Sequence, residues 1–403
     1  MRVIFRPSHL RGCVTAPPSK SMAHRMLICA GLSDGTSTVR NISYSEDISA
    51  TIDCLTALGA SVNKLGDTVE IKGFGGISNS AERILNCRES GSTLRFLIPI
   101  CLASGGRTSF CGARRLFERP LGIYSEICRE RGIGFFPGDG GLIVDGRLGH
   151  GDFAFRGDVS SQFITGLLFA LPLLDGDSSI NITPPFESRA YTDMTLSALE
   201  SFGVTAKHTS DYCFSVPGCQ KYRPGDVTVE GDYSNAAFFE AMRLLGGDIN
   251  ICGLSGTSLQ GDRAYLADMP EIAAKFCEKD VSECPDLAPV YMALASACHG
   301  AVFTGTSRLR MKESDRGNAM AEELSKFGAE VTVGENSIFV GKCSMTAPVA
   351  VLCSHNDHRI AMALSVLLSV TGGVLEGAEA VAKSFPEFFS VIKGLGAIFD
   401  TVS

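Results

Sequence analysis

Leu58-Gly59-Ala60 closes an apolar helix, and the same step from a bulky residue through glycine to a further apolar residue returns four more times. The other copies are Arg131-Gly132-Ile133, Phe202-Gly203-Val204, Phe327-Gly328-Ala329 and Leu395-Gly396-Ala397. Glycine suits the left-handed backbone conformation that ends a helix, and a strand is expected directly after it. The copies lie roughly 60–75 residues apart, and one gap of double length leaves room for a degenerate copy around residues 246–276. The sequence therefore predicts six repeats.

In each repeat an apolar helix leads into a short strand, a second helix follows, and a β-hairpin ends the unit. Hairpins require antiparallel pairing, so the chain is α/β in content without being a doubly wound parallel sheet. Helices that are apolar nearly all round belong inside a domain. Four segments have this character: Ser92–Ser104, Gln162–Leu174, Leu287–Cys298 and Arg359–Val370. The predicted fold class is α/β, with two domains of three repeated βαβαββ-type units each, the apolar helices inside and the sheets outside.

Two polar or proline-containing stretches are the predicted crossings between the domains. Pro17-Pro18 ends the first strand region, and Lys221–Asp226 is a polar stretch with proline and glycine just before another unit begins. We therefore expect an N-terminal domain at 18–225 and a C-terminal domain made of 1–17 plus 226–403.

Composition narrows the class of protein. The chain has 403 residues, of which 45% are hydrophobic and 20% charged, and its net charge is −8. Such an acidic protein is a poor general binder of nucleic acid, because phosphate backbones are held by basic surfaces. The longest nearly unbroken apolar segment, 163–174, is too short to cross a bilayer, and no signal-peptide pattern precedes the first strand. We therefore expect neither a nucleic acid nor a membrane as partner.

The cysteines indicate the redox compartment. There are 15 of them, an odd number, and no two stand in a C-x-x-C pair. This pattern argues for reduced thiols and against a zinc ribbon or a disulfide scaffold. His355-x-x-His358 is weak evidence for a metal, because no further Cys or His stands at a ligand spacing. We expect a cytoplasmic monomer without bound metal.

Four helix starts combine small polar residues with a long basic or amide side chain. They are Ser19-Lys20-Ser21 with Arg25, Ser90-Gly91-Ser92-Thr93 with Arg95, Ser160-Ser161 with Gln162, and Asn356-Asp357-His358-Arg359. Small polar residues are also ordinary helix caps. However, a cation in the first turn opposes the helix dipole, and a bound anion would compensate it. The four clusters together favour an enzyme that acts on small polyanions.

Motifs spread over the chain carry a family resemblance. They are Pro18-Ser19-Lys20-Ser21-x-x-x-Arg25, Gly91-Ser92-x-x-Arg95, Arg119-Pro120, Val159-Ser160-Ser161-Gln162-Phe163, Glu187-Ser188-x-x-Tyr191, Pro285-Asp286-Leu287-Ala288, Lys312-Glu313-Ser314-Asp315-Arg316, Asp357-His358-Arg359-x-Ala361-Met362 and Ala382-Lys383-Ser384-Phe385-Pro386. In this order they resemble the enolpyruvylshikimate-phosphate synthase family, from about Pro17 to Val391.

The resemblance implies a reaction and a place for it. Members of the family move the enolpyruvyl group of phosphoenolpyruvate to the 5-hydroxyl of shikimate 3-phosphate and release phosphate, in the pathway to chorismate and the aromatic amino acids. They use no metal or organic cofactor. The family fold has two domains of three repeats, and the active site is in the cleft between the domains. Both substrates are anionic, which agrees with the basic helix starts.

The resemblance also assigns residues by position. For catalysis it implies Asp286, Glu313 and Lys20, and it leaves their division into acid and base open. For shikimate 3-phosphate it implies Lys20, Ser21, Arg25, Ser160, Ser161, Gln162, Ser188, Tyr191, Asp286 and Lys312. For phosphoenolpyruvate it implies Lys20, Gly91, Arg119, Gln162, Arg316, Arg359 and Lys383.

Two alternatives stay open at this point. The first is the sister UDP-N-acetylglucosamine enolpyruvyl transferase, which shares the repeats and uses a loop cysteine. Cys111 lies near that region but is better explained as the end of the strand Thr108–Cys111, and Lys20-Ser21 favours the phosphoshikimate enzyme. The second is a catalytically inactive homologue that binds anions. The presence of Lys20, Asp286, Glu313 and Lys383 argues against it.

Overall fold

The computed structural model describes residues 1–76 and 82–402 and contains two compact units. The N-terminal unit is Pro18–Glu230, and the C-terminal unit is Met1–Pro17 with Gly231–Ser403. The second crossing is at Glu230–Gly231 and not at the predicted 225–226. The reason is that Asp226–Thr228 forms a strand that pairs in parallel with Thr36–Arg40 of the N-terminal unit.

Short strands form six sheets in the described ranges. In chain order the strands are β1 (Arg2–Arg6), β2 (Arg11–Thr15), β3 (Thr36–Arg40), β4 (Ser61–Leu65), β5 (Thr68–Lys72), β6 (Arg83–Asn86), β7 (Arg107–Cys111), β8 (Gly134–Gly138), β9 (Gly141–Asp145), β10 (Gly151–Arg156), β11 (Ser178–Thr183), β12 (Lys207–Ser210), β13 (Cys213–Val216), β14 (Asp226–Thr228), β15 (Asp248–Cys252), β16 (Cys277–Asp280), β17 (Ala301–Thr304), β18 (Val331–Val333), β19 (Ser337–Val340), β20 (Leu352–Cys353), β21 (Gly373–Glu376) and β22 (Ile398–Val402).

The helices alternate with these strands. They are α1 (Lys20–Leu32), α2 (Glu46–Ala57), α3 (Gly91–Ser104), α4 (Arg114–Glu118), α5 (Gly122–Glu130), α6 (Ser161–Ala170), α7 (Arg189–Ser201), α8 (Tyr233–Leu244), α9 (Tyr265–Ala274), α10 (Ala288–Ala297), α11 (Arg316–Ser325), α12 (His358–Thr371) and α13 (Phe388–Gly394). Short 3-10 helices lie at Leu171–Leu173, Gly261–Ala264, Ser307–Met311 and Ala378–Lys383. None of the helices in the described part of the chain has the length and hydrophobicity needed to cross a lipid bilayer.

The N-terminal unit has three four-stranded sheets of one design. Their strand orders are β14-β3-β5-β4, β6-β7-β9-β8 and β10-β11-β13-β12. In each sheet the first two strands are parallel and the remaining neighbours are antiparallel. Helix α3 connects β6 to β7 and helix α6 connects β10 to β11. The predicted βαβαββ repeat with a terminal hairpin is therefore confirmed.

The C-terminal unit repeats the design with one reduced copy. Its four-stranded sheets have the orders β16-β17-β19-β18 and β20-β21-β1-β22, and its third sheet is only β15-β2. The start of the chain supplies β1 and β2 to this unit. The degenerate copy expected around 246–276 corresponds to β15 and α9, with Gly246 at a φ of 108° after α8.

The apolar helices are buried, as their composition predicts. In α3 every residue except Ser92 is buried, and in α12 every residue except Val370 is buried. Helix α3 packs against α6, and α10 packs against α12. The predicted helix Gln162–Leu174 is shorter than expected, because Pro172 lacks an amide hydrogen and the chain continues as a 3-10 turn. Each unit encloses its own hydrophobic core.

Candidate functional site

The start of helix α1 places Lys20 beside a carboxylate. Ser19 caps the helix by accepting a hydrogen bond from the Met22 amide, 3.4 Å away. The Nζ atom of Lys20, the first helical residue, is 2.8 Å from Oδ2 of Asp47. Asp47 is in the first turn of α2, where the helix dipole favours a negative charge. Two helix starts therefore hold an ammonium and a carboxylate in contact.

Arg25, one turn further along α1, is buried among neutral oxygens. Its Nε donates to Thr195 Oγ1 over 2.9 Å, its Nη1 to the Ser21 carbonyl over 2.6 Å, and its Nη2 to the Tyr191 carbonyl over 2.8 Å. Burial lowers the pKa of Arg25 to about 10, so the side chain stays charged at neutral pH. Burial, with Lys20 and Arg25 nearby, also lowers the pKa of His24 well below its ordinary value, so its ring is neutral.

Glycine at position 91 permits a close approach to the start of α3. Ser90 caps this helix through the Thr93 amide at 3.2 Å. A Cβ atom on Gly91 would be 2.6 Å from Nη1 of Arg119, closer than such atoms pack. The buried guanidinium of Arg119 therefore lies directly against the backbone of the helix start.

Gln162 connects the starts of α6 and α3. Its Nε2 donates to Ser92 Oγ over 3.0 Å, and its Oε1 accepts from Nη1 of Arg95 over 2.7 Å. Arg95 also donates to the Pro120 carbonyl over 3.0 Å. Arg95 belongs to a quoted motif but was missing from the predicted site residues. Because Arg95 donates to the Gln162 oxygen, the Gln162 nitrogen is the end of the side-chain amide that faces Ser92.

The remaining predicted residues of the N-terminal unit lie at two helix starts. Ser160 caps α6 by accepting from the Gln162 amide over 3.3 Å, and Ser161 is buried as the first residue of that helix. Ser188 is buried before α7 with a φ of 58°, in the left-handed region. We call Lys20, Arg25, Gly91, Arg119, Gln162 and their partners the N-terminal cluster.

Asp286, next to helix α10, is surrounded by cations. Its Oδ1 is 2.8 Å from Nη1 of Arg316 and 3.1 Å from Nζ of Lys312, and its Oδ2 is 3.0 Å from Nη2 of Arg359. Burial opposes ionisation, but Arg359, Lys312 and Arg316 outweigh it and hold the pKa of Asp286 well below its ordinary value. Burial lowers the pKa of Lys312, and Asp286 partly offsets this effect.

Arg316 is the most enclosed of these cations, with 1% of its side chain exposed. Besides Asp286, its Nη2 donates to Glu313 Oε2 over 2.7 Å and its Nε to Asp357 Oδ2 over 2.8 Å. Burial opposes the charge, but Asp357, Glu313 and Asp286 together raise the pKa of Arg316. One guanidinium is therefore held by three carboxylates.

The start of helix α12 completes this arrangement. Asp357 caps the helix by accepting from the Arg359 amide over 2.9 Å, and it also accepts from Ser314 Oγ over 3.1 Å. The buried Lys383 donates from Nζ to the Asn356 carbonyl over 2.7 Å. We call Asp286, Lys312, Glu313, Arg316, Asp357, Arg359 and Lys383 the C-terminal cluster.

Asp262 is a titratable residue that sequence reasoning missed. It is buried in the 3-10 turn Gly261–Ala264. Burial, followed by the negative charge of Asp286, raises the pKa of Asp262 to about 7, while Arg359 acts in the opposite direction. An acid with this pKa exchanges a proton near neutral pH. Its position in a polar loop is typical of an exposed residue, so no sequence signal marked it.

Glu323 is a second missed residue. This fully buried carboxylate of α11 accepts from Lys326 Nζ at 2.8 Å, from His355 Nε2 at 2.8 Å and from the Cys353 amide at 2.9 Å. His355 and Asn356 both have left-handed backbones, with φ of 50° and 54°. Glu323 thus supports the loop from which Asn356 meets Lys383 and Asp357 meets Arg316.

A possible metal-binding group lies at the same loop. Across residues 1–76 and 82–402, Glu322, Glu323 and His355 are the group whose ligand atoms fall within 4.8 Å of one another. However, the Glu323 oxygens already accept hydrogen bonds from Lys326 and the Cys353 amide. The contacts of Glu323 therefore indicate that these three residues support the loop before α12.

The two clusters share one chemical capacity, the binding of small anions. Arginine binds carboxylate and phosphate through its planar fork, and lysine acts as a mobile point charge. Carboxylates at Asp286 and Glu313 lie among these cations, where they can take or give a proton while an anion is bound.

Comparisons with known proteins identify the family. The sequence model of EPSP synthase (3-phosphoshikimate 1-carboxyvinyltransferase) matches residues 4–392. The chain is 43% identical over 421 residues to the 3-phosphoshikimate 1-carboxyvinyltransferase of Clostridium kluyveri, covering 99% of this chain and 98% of the relative. It is 40% identical over 424 residues to the protein of that name from Clostridioides difficile, covering 98% and 97%.

Solved structures show the same fold. EPSP synthase from Acinetobacter baumannii aligns over 100% of both chains with a TM-score of 0.80 and 23% identity. The enolpyruvyl transferase NikO from Streptomyces tendae aligns over 99% of this chain and 98% of its own with a TM-score of 0.79 and 15% identity. Together with the match over residues 4–392, these findings place the chain in the EPSP synthase family.

Proposed function

We propose that this chain transfers the enolpyruvyl group of phosphoenolpyruvate to the 5-hydroxyl of shikimate 3-phosphate and releases phosphate, in the route to chorismate and aromatic amino acids. One observation carries the proposal: a partly buried carboxylate, Asp286, is in contact with Lys312, Arg316 and Arg359. Such a group can deprotonate a hydroxyl while its neighbours hold an anionic co-substrate.

Shikimate 3-phosphate is assigned to a set of hydroxyl, amide and charged side chains. Arg25 supports this assignment, because within residues 1–76 and 82–402 its buried charge is hydrogen-bonded only to neutral oxygens, and a phosphate would compensate it. The proposed contacts are Lys20, Ser21, Arg25, Ser160, Ser161, Gln162, Ser188, Tyr191, Asp286 and Lys312.

Phosphoenolpyruvate is assigned to the other cations and to the helix start at Gly91. The missing side chain at Gly91 supports this assignment, because it leaves room for the guanidinium of Arg119 against a helix start, where the dipole favours an anion. The proposed contacts are Lys20, Gly91, Arg119, Gln162, Arg316, Arg359 and Lys383.

The reaction is assigned to Asp286, Glu313 and Lys20. Asp286 takes the proton of the 5-hydroxyl, the hydroxyl oxygen bonds to the central carbon of phosphoenolpyruvate, and the methylene carbon gains a proton. The tetrahedral ketal phosphate then loses phosphate and a methyl proton. In the free protein the cations keep Asp286 a weak base. A bound anion that engages Arg359 and Lys312 shields Asp286 from them and strengthens it as a base.

Phosphate release tests the proposal. The purified chain should release phosphate from phosphoenolpyruvate when shikimate 3-phosphate is present, and not when UDP-N-acetylglucosamine replaces it. Release with the UDP-sugar alone would identify the sister transferase instead. No release with either acceptor, in a protein that still binds both anions, would identify an inactive homologue.

We also propose that the protein works in the cytoplasm as a monomer without a cofactor. The free state of all 15 cysteines supports a reducing compartment. Each unit has its own hydrophobic core, so neither requires a second copy to bury it. Sedimentation velocity should give the mass of one chain. Activity should be unchanged after dialysis against a chelator.

A further inference from the structure

Two cysteines meet on the outer face of the β2–β15 sheet in the C-terminal unit. Cys13 of β2 and Cys252 of β15 have their Sγ atoms 3.1 Å apart, although 239 positions separate them in sequence. The strands are parallel, with Cys13 opposite Asn250 and Cys252 opposite Thr15. Cys13 is exposed and Cys252 is partly exposed, so small molecules in solvent have access to the pair.

A second thiol contact in the molecule provides a contrast. Cys54 and Cys87 of the N-terminal unit also interact, and a hydrogen bond between them, together with burial, raises the pKa of Cys87. Their exposures are 1% and 0%. Because thiol exchange requires access to the attacking sulfur, the buried pair is inert while the exposed pair is open to reaction.

The surroundings of the exposed pair favour reaction at Cys13. The side-chain Nδ2 of Asn250 is 3.5 Å from Sγ of Cys252 and 3.9 Å from Sγ of Cys13, so a hydrogen-bond donor faces both sulfurs. The hydrogen bond with Cys13, more than burial, raises the pKa of Cys252. Cys252 is therefore held in its protonated form, and Cys13, the more exposed of the two, is the sulfur that a small molecule in solvent reaches first.

We propose that Cys13 and Cys252 form an oxidisable dithiol that closes to a disulfide on reaction with small-molecule disulfides. Cys13 loses its proton, and its sulfur attacks one sulfur of the oxidant RSSR, which forms Cys13–S–SR and releases RS⁻. Cys252 then loses its proton, and its sulfur attacks the Cys13 sulfur and releases the second RS⁻. The protein loses two electrons and two protons, and the oxidant becomes two RSH.

Treatment of the native full-length chain with oxidised glutathione tests this inference. After the remaining thiols are blocked, we expect an intact mass two hydrogens lower at this pair and a peptide in which Cys13 is joined to Cys252. In Cys13→Ser or Cys252→Ser the linked peptide disappears, and a glutathione adduct stays on the remaining cysteine. Cys219→Ser, which removes another exposed thiol, leaves the linkage intact. Glutathione adducts on both cysteines without a linked peptide would overturn the proposal.

A trivalent arsenical tests whether the sulfurs of Cys13 and Cys252 lie close together, and it does so without oxidising them. Phenylarsine oxide bridges two thiols that lie a few ångströms apart, so we expect one equivalent bound to the native chain and none to either serine variant. The Cys54 and Cys87 pair should take up the reagent only after denaturation. Equal uptake by wild type and Cys13→Ser would overturn the inference, as would arsenical binding in a chain that never forms the linked peptide.

Discussion

Arg25 and Arg316 are buried arginines of the two clusters, and they are held in opposite ways. Arg25 donates to two hydroxyls and two carbonyls, all neutral. Arg316 donates to the carboxylates of Asp286, Glu313 and Asp357. Accordingly, the pKa of Arg25 is lowered to about 10, whereas that of Arg316 is raised.

The difference indicates two strategies for an anion site. A buried cation with neutral partners retains an uncompensated charge, which favours a strongly charged ligand such as a phosphate. A cation within a set of carboxylates is already neutralised, so it stabilises the fold and orients the carboxylates. The contacts of Arg25 therefore suit the capture of a phosphate, whereas those of Arg316 suit the alignment of its carboxylate neighbours.

The largest expected effect is on turnover when the carboxylate at the centre of the C-terminal cluster loses its charge. In Asp286→Asn we expect kcat to fall by about two to four orders of magnitude, the range for a missing general base. The KM values should stay near those of wild type, because the surrounding cations remain. Steady-state phosphate release measures both constants. Glu271→Gln, a carboxylate paired with Lys275 and Lys279, is the matched control. Weaker substrate binding at unchanged kcat would assign Asp286 to structure.

Stability should separate the two arginines directly. Arg316→Met leaves three carboxylates without their shared cation, and we expect the free energy of unfolding to fall by about 3–5 kcal/mol. Arg25→Met deprives neutral oxygens of a donor, and we expect a smaller loss of about 1–2 kcal/mol. Urea unfolding followed by circular dichroism measures both.

Ligand binding supplies the second half of this test. Arg25→Met should lose affinity for shikimate 3-phosphate in calorimetry. Arg131→Met, which removes another arginine held by carbonyls, should not. Equal destabilisation by Arg25→Met and Arg316→Met would remove the distinction between the two arginines.

The pH dependence of stability tests the charge balance around Asp262. Its folded pKa of about 7 exceeds the ordinary aspartate value of 3.8, so the folded state binds more protons between these values and stability falls as pH rises through them. Between pH 5 and pH 8 we expect wild type to lose on the order of 2 kcal/mol more than Asp262→Asn. Asp286, with a lowered pKa, acts in the opposite direction and only at lower pH. Urea midpoints at both pH values measure this, and parallel pH profiles would contradict it.

The smallest expected effect concerns the support of the loop before α12. Glu323→Gln keeps the size of the side chain but removes the charge that faces Lys326 and His355. We expect the KM for phosphoenolpyruvate to rise about tenfold with a smaller change in kcat, because Lys383 and Arg359 lose their alignment. Glu322→Gln, an exposed neighbour 4.0 Å from His355, is the control. Equal effects of both variants would show that the charge near His355 matters and the buried position does not.

Much of the fold could be predicted from local patterns. Helix-ending glycines mark each repeat, and all five quoted copies have positive φ, from 67° at Gly132 to 111° at Gly59. The helices that are apolar all round are buried. The crossing at Glu230–Gly231 could not be predicted, because Asp226–Thr228 is a strand of three residues with no apolar alternation. Only its pairing with β3 assigns it to the N-terminal unit.

The sequence by itself determined the repeats, the buried helices and the basic helix starts, because each depends on residues close together in the chain. The tertiary structure alone decided which charges compensate one another. Asp286 meets Arg359 across 73 positions and Arg25 meets Tyr191 across 166. Asp262 and Glu323 are charged residues whose burial no local pattern reveals. Their protonation and their role depend on desolvation and on distant neighbours, and these arise only when the chain has folded.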